Sequence, residues 1–400
     1  MSRVPRVLLL VCDGLGVGAA PDAPEFGDEG SDSLGNCSRA VGGLSLPNLG
    51  AMGIGCLTDV RGVAPEPRPG TGHGRLAERS VAKDSATGHW EMAGLVTDSP
   101  FPLFPEGLPA DVIFEFERLI RRKVLGNTAA SGTEIIERLG KEHLVTGRPI
   151  VYTSGDSVFQ IAAHEEVTSE GELYSWCEMA RRMLVGPVGV ARVIARPFAG
   201  SPGSFVRLPG RRDFTIPPTS STLLDACAEA GVAVHGIGKI GDVFTMRGLE
   251  SSVYASSDDD GIDRTVVALE TDPSSPSLVF ANLVDLDSKY GHRNDPEGYA
   301  RCLEAVDARI PEILEAVGEG VMFLTGDHGC DPTTPSTDHS REMVPMLAGG
   351  LPKGPVDVGT RSTFADLGAT IGELLGVSTE GLAGVSFARE LGLTDGQTLK

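Results

Sequence analysis

Three short runs of apolar residues stand out along the chain, and each has the length of a β-strand. They span residues 6–12, 278–284 and 321–325. Unbroken apolar runs of this length are typical of strands buried on both faces, as in a parallel sheet covered by helices. Helical patterns alternate with them at 221–230, 296–315 and 363–375. The alternation predicts an α/β fold with a mostly parallel sheet.

Two proline-rich stretches divide this pattern. Four prolines lie between residues 100 and 109, and a proline pair stands at 217 and 218. The segment between them has helical patterns at 111–123 and 172–183 and a basic, β-branched stretch at 188–214. A segment between two stiff hinges is typical of an inserted domain. We therefore predict a discontinuous core, residues 1–100 and 218–400, with an α+β cap at 101–217; one continuous domain with proline-rich loops is the alternative.

Composition narrows the possible partners. The chain of 400 residues has 34 Lys plus Arg and 55 Asp plus Glu, a formal net charge of −21. Such a chain repels phosphate backbones and anionic lipids, so we expect neither nucleic acid nor membrane as a partner. No obligate protein partner is indicated. The seven cysteines are scattered without a C-x-x-C pair. This favours buried thiols, and with no signal peptide or long apolar stretch we expect a cytoplasmic protein.

Acidic residues follow each apolar run, and histidines come close behind. The side chains concerned are Asp13, Asp285, Asp287, His292, Asp327, His328 and His339. Ligands of open α/β sheets bind beyond the carboxyl ends of the strands, and carboxylates that converge there need a cation between them. Each aspartate alone is more simply a helix cap or a loop residue. Their joint occurrence after three strands favours a site for two divalent ions, with three aspartates and three histidines as ligands.

The second run offers two candidate ligands, Asp285 and Asp287. Residues two apart on a strand point the same way, so both could face the site. We prefer Asp287 because it lies nearer to His292 in the sequence.

The segment 83–94 places hydroxyl groups just before the start of a predicted helix. A helix N-terminus has free N–H groups and a dipole that favour phosphate. Ser85 and Thr87 lie there, and a divalent metal could activate such a hydroxyl as a nucleophile. Taken alone, either residue is more simply an N-cap.

Longer strings around these residues resemble the phosphopentomutase family of the alkaline phosphatase superfamily. The strings are residues 13–23, 87–94, 151–160, 282–294 and 324–332, and they span nearly the whole chain in the order of the family. Gly-His-Trp-Glu and Tyr-Gly-His-Arg are the most specific of them. The resemblance implies an alkaline-phosphatase-like core with an inserted cap, and interconversion of the 1- and 5-phosphates of ribose and deoxyribose.

The resemblance also implies a metal centre and a phosphorylated residue. Two Mn²⁺ ions are expected, although Asp and His ligands also fit Zn²⁺. Thr87 matches the phosphorylated threonine of the family, which would pass its phosphoryl group through a 1,5-bisphosphate, with a bisphosphate as activator. The expected ligands are Asp13, Asp327 and His328 for one ion, and Asp287, His292 and His339 for the other.

Five further residues are expected to bind the pentose phosphate. The resemblance points to Ser154 and Asp156 for the sugar hydroxyls, and to Arg192, Arg207 and Lys239 for the distal phosphate. Lys239 lies in a glycine-rich string that suits close approach of a phosphate. For Arg192 and Arg207, plain surface arginines are the alternative.

Two departures from the family pattern are visible. The family has more threonines before the nucleophile, whereas this chain has Asp-Ser-Ala-Thr at 84–87, so that Thr87 is the one remaining threonine. The string Ala-Asp-Thr-Leu-Gly-His of the family appears in this chain as Ser-Asp-Ser-Leu-Gly-Asn at 31–36. The alternatives are a cofactor-independent phosphoglycerate mutase, a phosphatase of the same superfamily, or a non-catalytic metal-binding protein.

Overall fold

The computed structural model describes residues 6–154, 157–271 and 275–394. The chain divides into two compact units, which we call the larger unit (Met1–Ser99 with Pro218–Lys400) and the smaller unit (Pro100–Pro217). Each unit has its own sheet.

The strands are given first, in chain order. They are β1 (Arg6–Cys12), β2 (Thr71–Leu76), β3 (Leu125–Ala129), β4 (Ile150–Thr153), β5 (Val158–His164), β6 (Arg192–Ala199), β7 (Val206–Arg207), β8 (Arg212–Thr215), β9 (Ala233–Ile237), β10 (Ser251–Val253), β11 (Ser277–Leu283), β12 (Val321–Thr325), β13 (Val344–Gly349) and β14 (Val356–Arg361).

The α-helices lie between them. They are α1 (Ala23–Phe26), α2 (Ser33–Ala40), α3 (Pro47–Met52), α4 (Ser85–Met92), α5 (Ala110–Ile120), α6 (Gly132–Thr146), α7 (Glu170–Met183), α8 (Leu223–Glu229), α9 (Ile240–Val243), α10 (Asp258–Glu270), α11 (Pro296–Val317) and α12 (Ala365–Leu375). Among the described helices, none combines the length and the apolar character needed to cross a bilayer.

The sheet of the larger unit has the order β10-β9-β11-β1-β12-β13-β2-β14. The strands from β10 to β12 are parallel, β13 is antiparallel to both neighbours, and β14 is parallel to β2. Strand β1 pairs with β11 on one side and β12 on the other, and all its residues except Arg6 are buried. Leu8 and Leu10 pack into one core with Leu303, Val306 and Ile310 of α11. The expected α/β fold with a mostly parallel sheet and flanking helices is confirmed.

Helix α11 shows how local sequence positions these layers. It begins with Pro296 after Asp295, whose carboxylate accepts a hydrogen bond from the Gly298 amide at 2.8 Å. The proline needs no hydrogen-bond acceptor at the first helical position, and the aspartate caps a free amide. The helix ends before Gly318, where the chain turns into β12.

The smaller unit has a mixed sheet of order β3-β4-β5-β6-β7, with β8 also paired to β6. One apolar cluster joins its strands to α5 and α7 through residues such as Phe116, Phe159 and Trp176. A second cluster joins β4 to α6, with Tyr152 packed against Ile135. The two clusters lie on opposite faces of the sheet because successive strand residues alternate in direction.

Glu91, near the end of α4, connects three segments of the larger unit. Its buried carboxylate accepts hydrogen bonds from the amides of Arg79 at 2.9 Å and Ser80 at 2.6 Å. It also accepts from the Thr363 hydroxyl at 2.7 Å and the Phe364 amide at 2.9 Å. The motif Gly-His-Trp-Glu therefore ends in a structural residue.

We expect Glu91→Ala to lower the free energy of unfolding by about 3 kcal/mol or more, because several buried donors lose their acceptor. Urea unfolding followed by circular dichroism measures the change. Glu319→Ala, at an exposed position, is the control and should change the free energy of unfolding by less than about 0.5 kcal/mol. Equal effects of the two substitutions would contradict the structural role of Glu91.

Candidate metal centre and catalytic site

Three aspartates lie at the carboxyl ends of the central parallel strands. Asp13 follows β1 directly, Asp327 follows β12, and Asp287 lies in a short π-helix, Leu286–Tyr290, just after β11. Asp13 and Asp327 are fully buried, and Asp287 is 7% exposed. These strands are neighbours in the sheet, so the three carboxylates lie close together.

Three histidines face these carboxylates with their Nε2 atoms, while their Nδ1 atoms contact backbone carbonyl oxygens. The Nδ1 atoms of His292, His328 and His339 lie 2.7, 3.1 and 3.0 Å from the carbonyl oxygens of Thr337, Gly329 and Lys83. Such a contact favours the tautomer with hydrogen on Nδ1 and leaves the Nε2 lone pair free for a metal. The Nε2 atoms of His292 and His339 lie 3.2 and 3.6 Å from Asp287 carboxylate oxygens. His328 Nε2 lies 3.5 Å from Asp13 and 3.4 Å from Asp327.

These side chains form two groups that fit divalent cations. Asp287, His292 and His339 form one group, and Asp13, Asp287 and His328 the other, with all ligand atoms of each group within 4.8 Å of one another. One carboxylate oxygen each of Asp13, Asp287 and Asp327 is buried without a hydrogen-bond partner among the described residues. Buried carboxylate oxygens are costly unless they are paired, so this donor set fits metal ions.

The carboxylates and histidines of the site shift one another's pKa values. Burial, and then the negative charge of Asp327, raises the pKa of Asp13. Burial acts in the same direction on Asp327, but the positive charges of His328 and Lys239 outweigh it and hold its pKa well below the usual range. A hydrogen bond to Asp287 raises the pKa of His292 to about 9. Carboxylates this close and this buried need a compensating cation.

Lys239 provides part of that charge. Its Nζ atom contacts an Asp13 carboxylate oxygen, lies 3.8 Å from Asp327 Oδ2 and donates a hydrogen bond to Ser85 Oγ at 2.7 Å. The resemblance led to the expectation of a distal-phosphate contact, which stays a prediction. In the structure the Lys239 ammonium group lies among the metal-ligand candidates.

The two candidate hydroxyls at the start of α4 have different surroundings. Asp84 caps the helix by accepting hydrogen bonds from the amides of Ala86 and Thr87. Ser85 Oγ lies 3.0 Å from His328 Nε2 and accepts from Lys239. Thr87 is fully buried, and its hydroxyl donates to the Asp84 carbonyl oxygen at 2.9 Å. The geometry favours Ser85 as the hydroxyl that faces the metal-ligand candidates, and the expectation for Thr87 stays a prediction.

Two residues of the site were missed in the sequence. Asn282, on β11, donates to Asp13 Oδ2 at 3.0 Å and lies 3.2 Å from His89 Nε2. His89 Nδ1 lies 3.2 Å from Asp327 Oδ2 and 2.8 Å from the Ser85 carbonyl oxygen. Both residues belong to the specific strings, and the spacing of four between Ser85 and His89 on α4 was the available signal. A Cβ at Gly88 would lie 2.2 Å from the Asp327 carbonyl oxygen, so α4 can approach this loop only with glycine there.

Asp285 and Asp287 do not face the same partners. Asp285 accepts a hydrogen bond from the Asp258 amide at 3.2 Å and pairs with Lys289 at 2.8 Å. The chain leaves β11 at Leu283 and turns into a helix, so the alternation of a strand no longer applies. The preference for Asp287 agrees with this geometry, but the argument from strand alternation was wrong.

The remaining expected substrate residues lie in the smaller unit. Ser154 follows β4 directly, and Asp156 lies outside the described residues. Arg192 begins β6, with Nη1 3.7 Å from Asp213 Oδ2. Arg207 ends β7 and donates from Nη2 to the Thr133 hydroxyl at 2.8 Å.

Comparisons with known proteins agree with this picture. A model of the metalloenzyme superfamily matches residues 5–379. The chain is 54% identical over 388 residues to a protein named phosphopentomutase from Anaeromyxobacter dehalogenans, covering 96% of this chain and 98% of that protein. It is 53% identical over 377 residues to a protein of the same name from Thermotoga maritima, covering 93% and 96%.

A solved structure shares the fold. Phosphoglycerate mutase from Leishmania mexicana, solved at low cobalt concentration, has a TM-score of 0.50 at 14% identity and covers 96% of this chain and 98% of its own. At that identity the likeness concerns the fold alone. The fold and the family model make the chain a member of the metalloenzyme superfamily, in which a divalent metal is implied. Within that class it belongs to the phosphopentomutase family, and it is therefore a mutase of the isomerase class.

Proposed function

We propose that the protein interconverts ribose 1-phosphate and ribose 5-phosphate, and the corresponding deoxyribose phosphates, through a phosphorylated serine or threonine. The observation that carries the proposal is the set of carboxylate oxygens without a hydrogen-bond partner and of histidine Nε2 atoms beside the first residue of α4. Phosphoryl transfer needs charge neutralisation and in-line positioning, and a two-metal site supplies both.

The donor set supports two divalent ions, with Mn²⁺ as the proposed metal. Asp13, Asp327 and His328 would hold one ion, and Asp287, His292 and His339 the other. In the structure Asp287 also lies close to Asp13 and His328, so its carboxylate could contribute to both positions. When bound, the ions would neutralise the transferring phosphoryl group and favour deprotonation of the attacking hydroxyl.

Ser85 is the hydroxyl that the geometry supports as phosphoryl carrier. In the proposed first step, the bond between Ser85 Oγ and phosphorus breaks while a sugar hydroxyl oxygen bonds to phosphorus. The proton of the sugar hydroxyl ends on Ser85 Oγ, and the product is a 1,5-bisphosphate. The other phosphate then returns to Ser85 by the reverse chemistry. Lys239 already donates to Ser85 Oγ and would stabilise that oxygen as it leaves.

The smaller unit is proposed as the cap that the resemblance implies. A phosphorylated enzyme must be shielded from water, since otherwise it would hydrolyse its own phosphate and act as a phosphatase. A bisphosphate sugar is the proposed activator, because the resting hydroxyl has to be phosphorylated once before the first turnover.

A coupled assay with the full chain tests the function. We expect conversion of ribose 1-phosphate to ribose 5-phosphate that depends on a divalent ion and a catalytic amount of bisphosphate, with Mn²⁺ the most effective ion of a panel including Zn²⁺, Mg²⁺ and Co²⁺. Release of inorganic phosphate without isomerisation would point to a phosphatase. Turnover of 3-phosphoglycerate with no turnover of pentose phosphates would contradict the proposal.

A further inference from the structure

Glu342 is a buried carboxylate of the larger unit that has no positively charged partner. The residue is 1% exposed and lies three positions after His339. Among the described residues, no cation forms an ion pair with it, and the neighbouring Arg341 pairs instead with Asp22 and Glu78. Burial raises the pKa of Glu342 to about 7. A buried carboxylate without a cation costs free energy, so its presence in a native fold calls for an explanation.

Neutral donors from three segments surround the Glu342 carboxylate. Its Oε2 atom accepts hydrogen bonds from the amides of Gly18 at 3.3 Å and Ser33 at 2.9 Å. Its Oε1 atom accepts from the hydroxyls of Ser33 and Ser340, both at 2.7 Å. These donors lie in the loop after β1, at the first residue of α2 and directly after His339. One side chain therefore connects three segments of the larger unit.

Two glycines allow the chain to approach this carboxylate closely. A Cβ at Gly16 would overlap Glu342 Oε2, and a Cβ at Gly329 would lie 2.5 Å from Glu342 Oε1. Gly329 also exchanges two backbone hydrogen bonds with Ser340, at 3.1 and 2.8 Å. The loop after β12 and the segment after His339 therefore pack against the same carboxylate.

These contacts lie next to two of the metal-ligand candidates. Gly329 follows His328, and Ser340 follows His339. The rings of the two histidines stack with their centroids 3.7 Å apart. In the proposed ligand sets these histidines belong to different ions, so their separation contributes to the distance between the two metal positions. None of the four hydrogen bonds to Glu342 involves a ligand candidate, so its influence on the centre passes through the backbone.

Ser33 extends the same connection to the loop after β12. Its hydroxyl, which donates to Glu342, accepts a hydrogen bond from the Cys330 amide at 3.0 Å. Ser33 lies in the string 31–36, which departs from the family pattern but keeps a hydroxyl at this position. The two hydrogen bonds give that hydroxyl a role beside the metal-ligand candidates.

We propose that Glu342 is a positioning residue of the metal centre, whose carboxylate holds the segments of His328 and His339 at the separation that two divalent ions require. The inference rests on the proposed ligand sets. A carboxylate suits this position because each of its oxygens accepts two hydrogen bonds here, whereas an amide group has only one accepting oxygen. Groups that orient ligands in this way change metal affinity about 10 to 100-fold.

Calorimetric titration of the metal-free full chain with Mn²⁺, above the pKa of Glu342, tests this role. We expect Glu342→Gln to weaken binding of both ions about tenfold or more, because the amide nitrogen would face hydrogen-bond donors. Glu342→Asp should weaken binding to a similar extent, because the shorter side chain keeps the charge but cannot reach all of the donors. Electron paramagnetic resonance of the Mn²⁺-loaded protein reports the coupling between the two ions, which should change in both variants.

Asp307→Asn is the matched control, because Asp307 is also a buried carboxylate that accepts hydrogen bonds from neutral donors. Its partners include the amides of Asn48 at 3.1 Å and Leu49 at 2.7 Å in α3, which carries no ligand candidate. We expect Asp307→Asn to lower the unfolding temperature of the metal-free protein but to leave the Mn²⁺ affinity and the resonance spectrum unchanged. Ser33→Ala, a milder change in case Glu342→Gln does not fold, should weaken Mn²⁺ binding about fivefold.

Wild-type Mn²⁺ affinity in Glu342→Gln or, where that variant does not fold, in Ser33→Ala would overturn the proposal. Equal losses of affinity in Glu342→Gln and Asp307→Asn would also overturn it, since they would follow from destabilisation alone. Wild-type affinity in Glu342→Asp would show that the charge acts without the hydrogen bonds, which contradicts a positioning role.

The outcome is separable from the proposed function. If the wild type converts pentose phosphates and binds two ions while the Glu342 variants bind them normally, the positioning role fails and the function stands. If the variants lose metal affinity but the wild type converts no pentose phosphate, the function fails and the positioning role stands. A wild type that binds no divalent ion would refute the ligand sets together with this inference.

Discussion

Ser85→Ala is expected to reduce pentose-phosphate turnover by roughly a thousandfold or more, because removal of the proposed covalent carrier leaves no acceptor for the phosphoryl group. Ser85 is the first residue of α4, its Oγ lies 3.0 Å from His328 Nε2, and Lys239 donates to it at 2.7 Å. The variant keeps the metal-ligand candidates, so its content of bound metal should equal that of the wild type. Steady-state kinetics in the coupled assay and elemental analysis measure the two quantities.

Thr87→Val is the matched control for this experiment. The Thr87 hydroxyl donates to the Asp84 carbonyl oxygen within its own turn, so valine should cost at most about tenfold in turnover. After incubation with a bisphosphate, peptide mapping by mass spectrometry should place one added phosphoryl group on Ser85. A phosphoryl group on Thr87, with full turnover in Ser85→Ala, would restore the assignment made from the sequence.

The central strands could be predicted because burial on both faces requires an unbroken run of apolar residues. Strands β1 and β12 occupy the two apolar runs at 6–12 and 321–325, and β11 begins one residue earlier than its run. Strand β2 has no such apolar run, since its sequence Thr-Gly-His-Gly-Arg-Leu alternates glycine with polar residues. Its glycines allow close packing: a Cβ at Gly74 would lie 2.6 Å from a Val358 methyl group. The need for glycine at this position comes from packing against a distant strand, and no local sequence pattern reveals it.

The candidate site was also predictable only in part. Asp13 and Asp327 follow their strands so closely that the topology of a parallel sheet brings them together. The choice between Ser85 and Thr87 needed the direction of each side chain at the first turn of α4, which the spacing alone does not contain. Lys239 could not be placed because its partners lie more than 80 residues away in the sequence.

Asp287→Asn is expected to abolish turnover and to remove bound metal from both positions. Asp287 is the residue shared by the two ligand groups, and its Oδ1 atom is buried without a hydrogen-bond partner among the described residues. An amide keeps the shape but loses the negative charge, so a divalent ion loses its strongest attraction at the centre. Because outer-shell changes already cost 10 to 100-fold in metal affinity, loss of a shared ligand should cost more than about a hundredfold.

Metal titration of the full chain, followed by elemental analysis after gel filtration, measures this loss. Asp285→Asn is the matched control, two residues away but hydrogen-bonded to Asp258 and Lys289. It should lower the unfolding temperature while two ions per chain remain bound. If Asp285→Asn lost the metal and Asp287→Asn kept it, the ligand on this strand would be Asp285. If Asp287→Asn kept one ion, Asp287 would be a ligand of one position only, and the shared role would be contradicted.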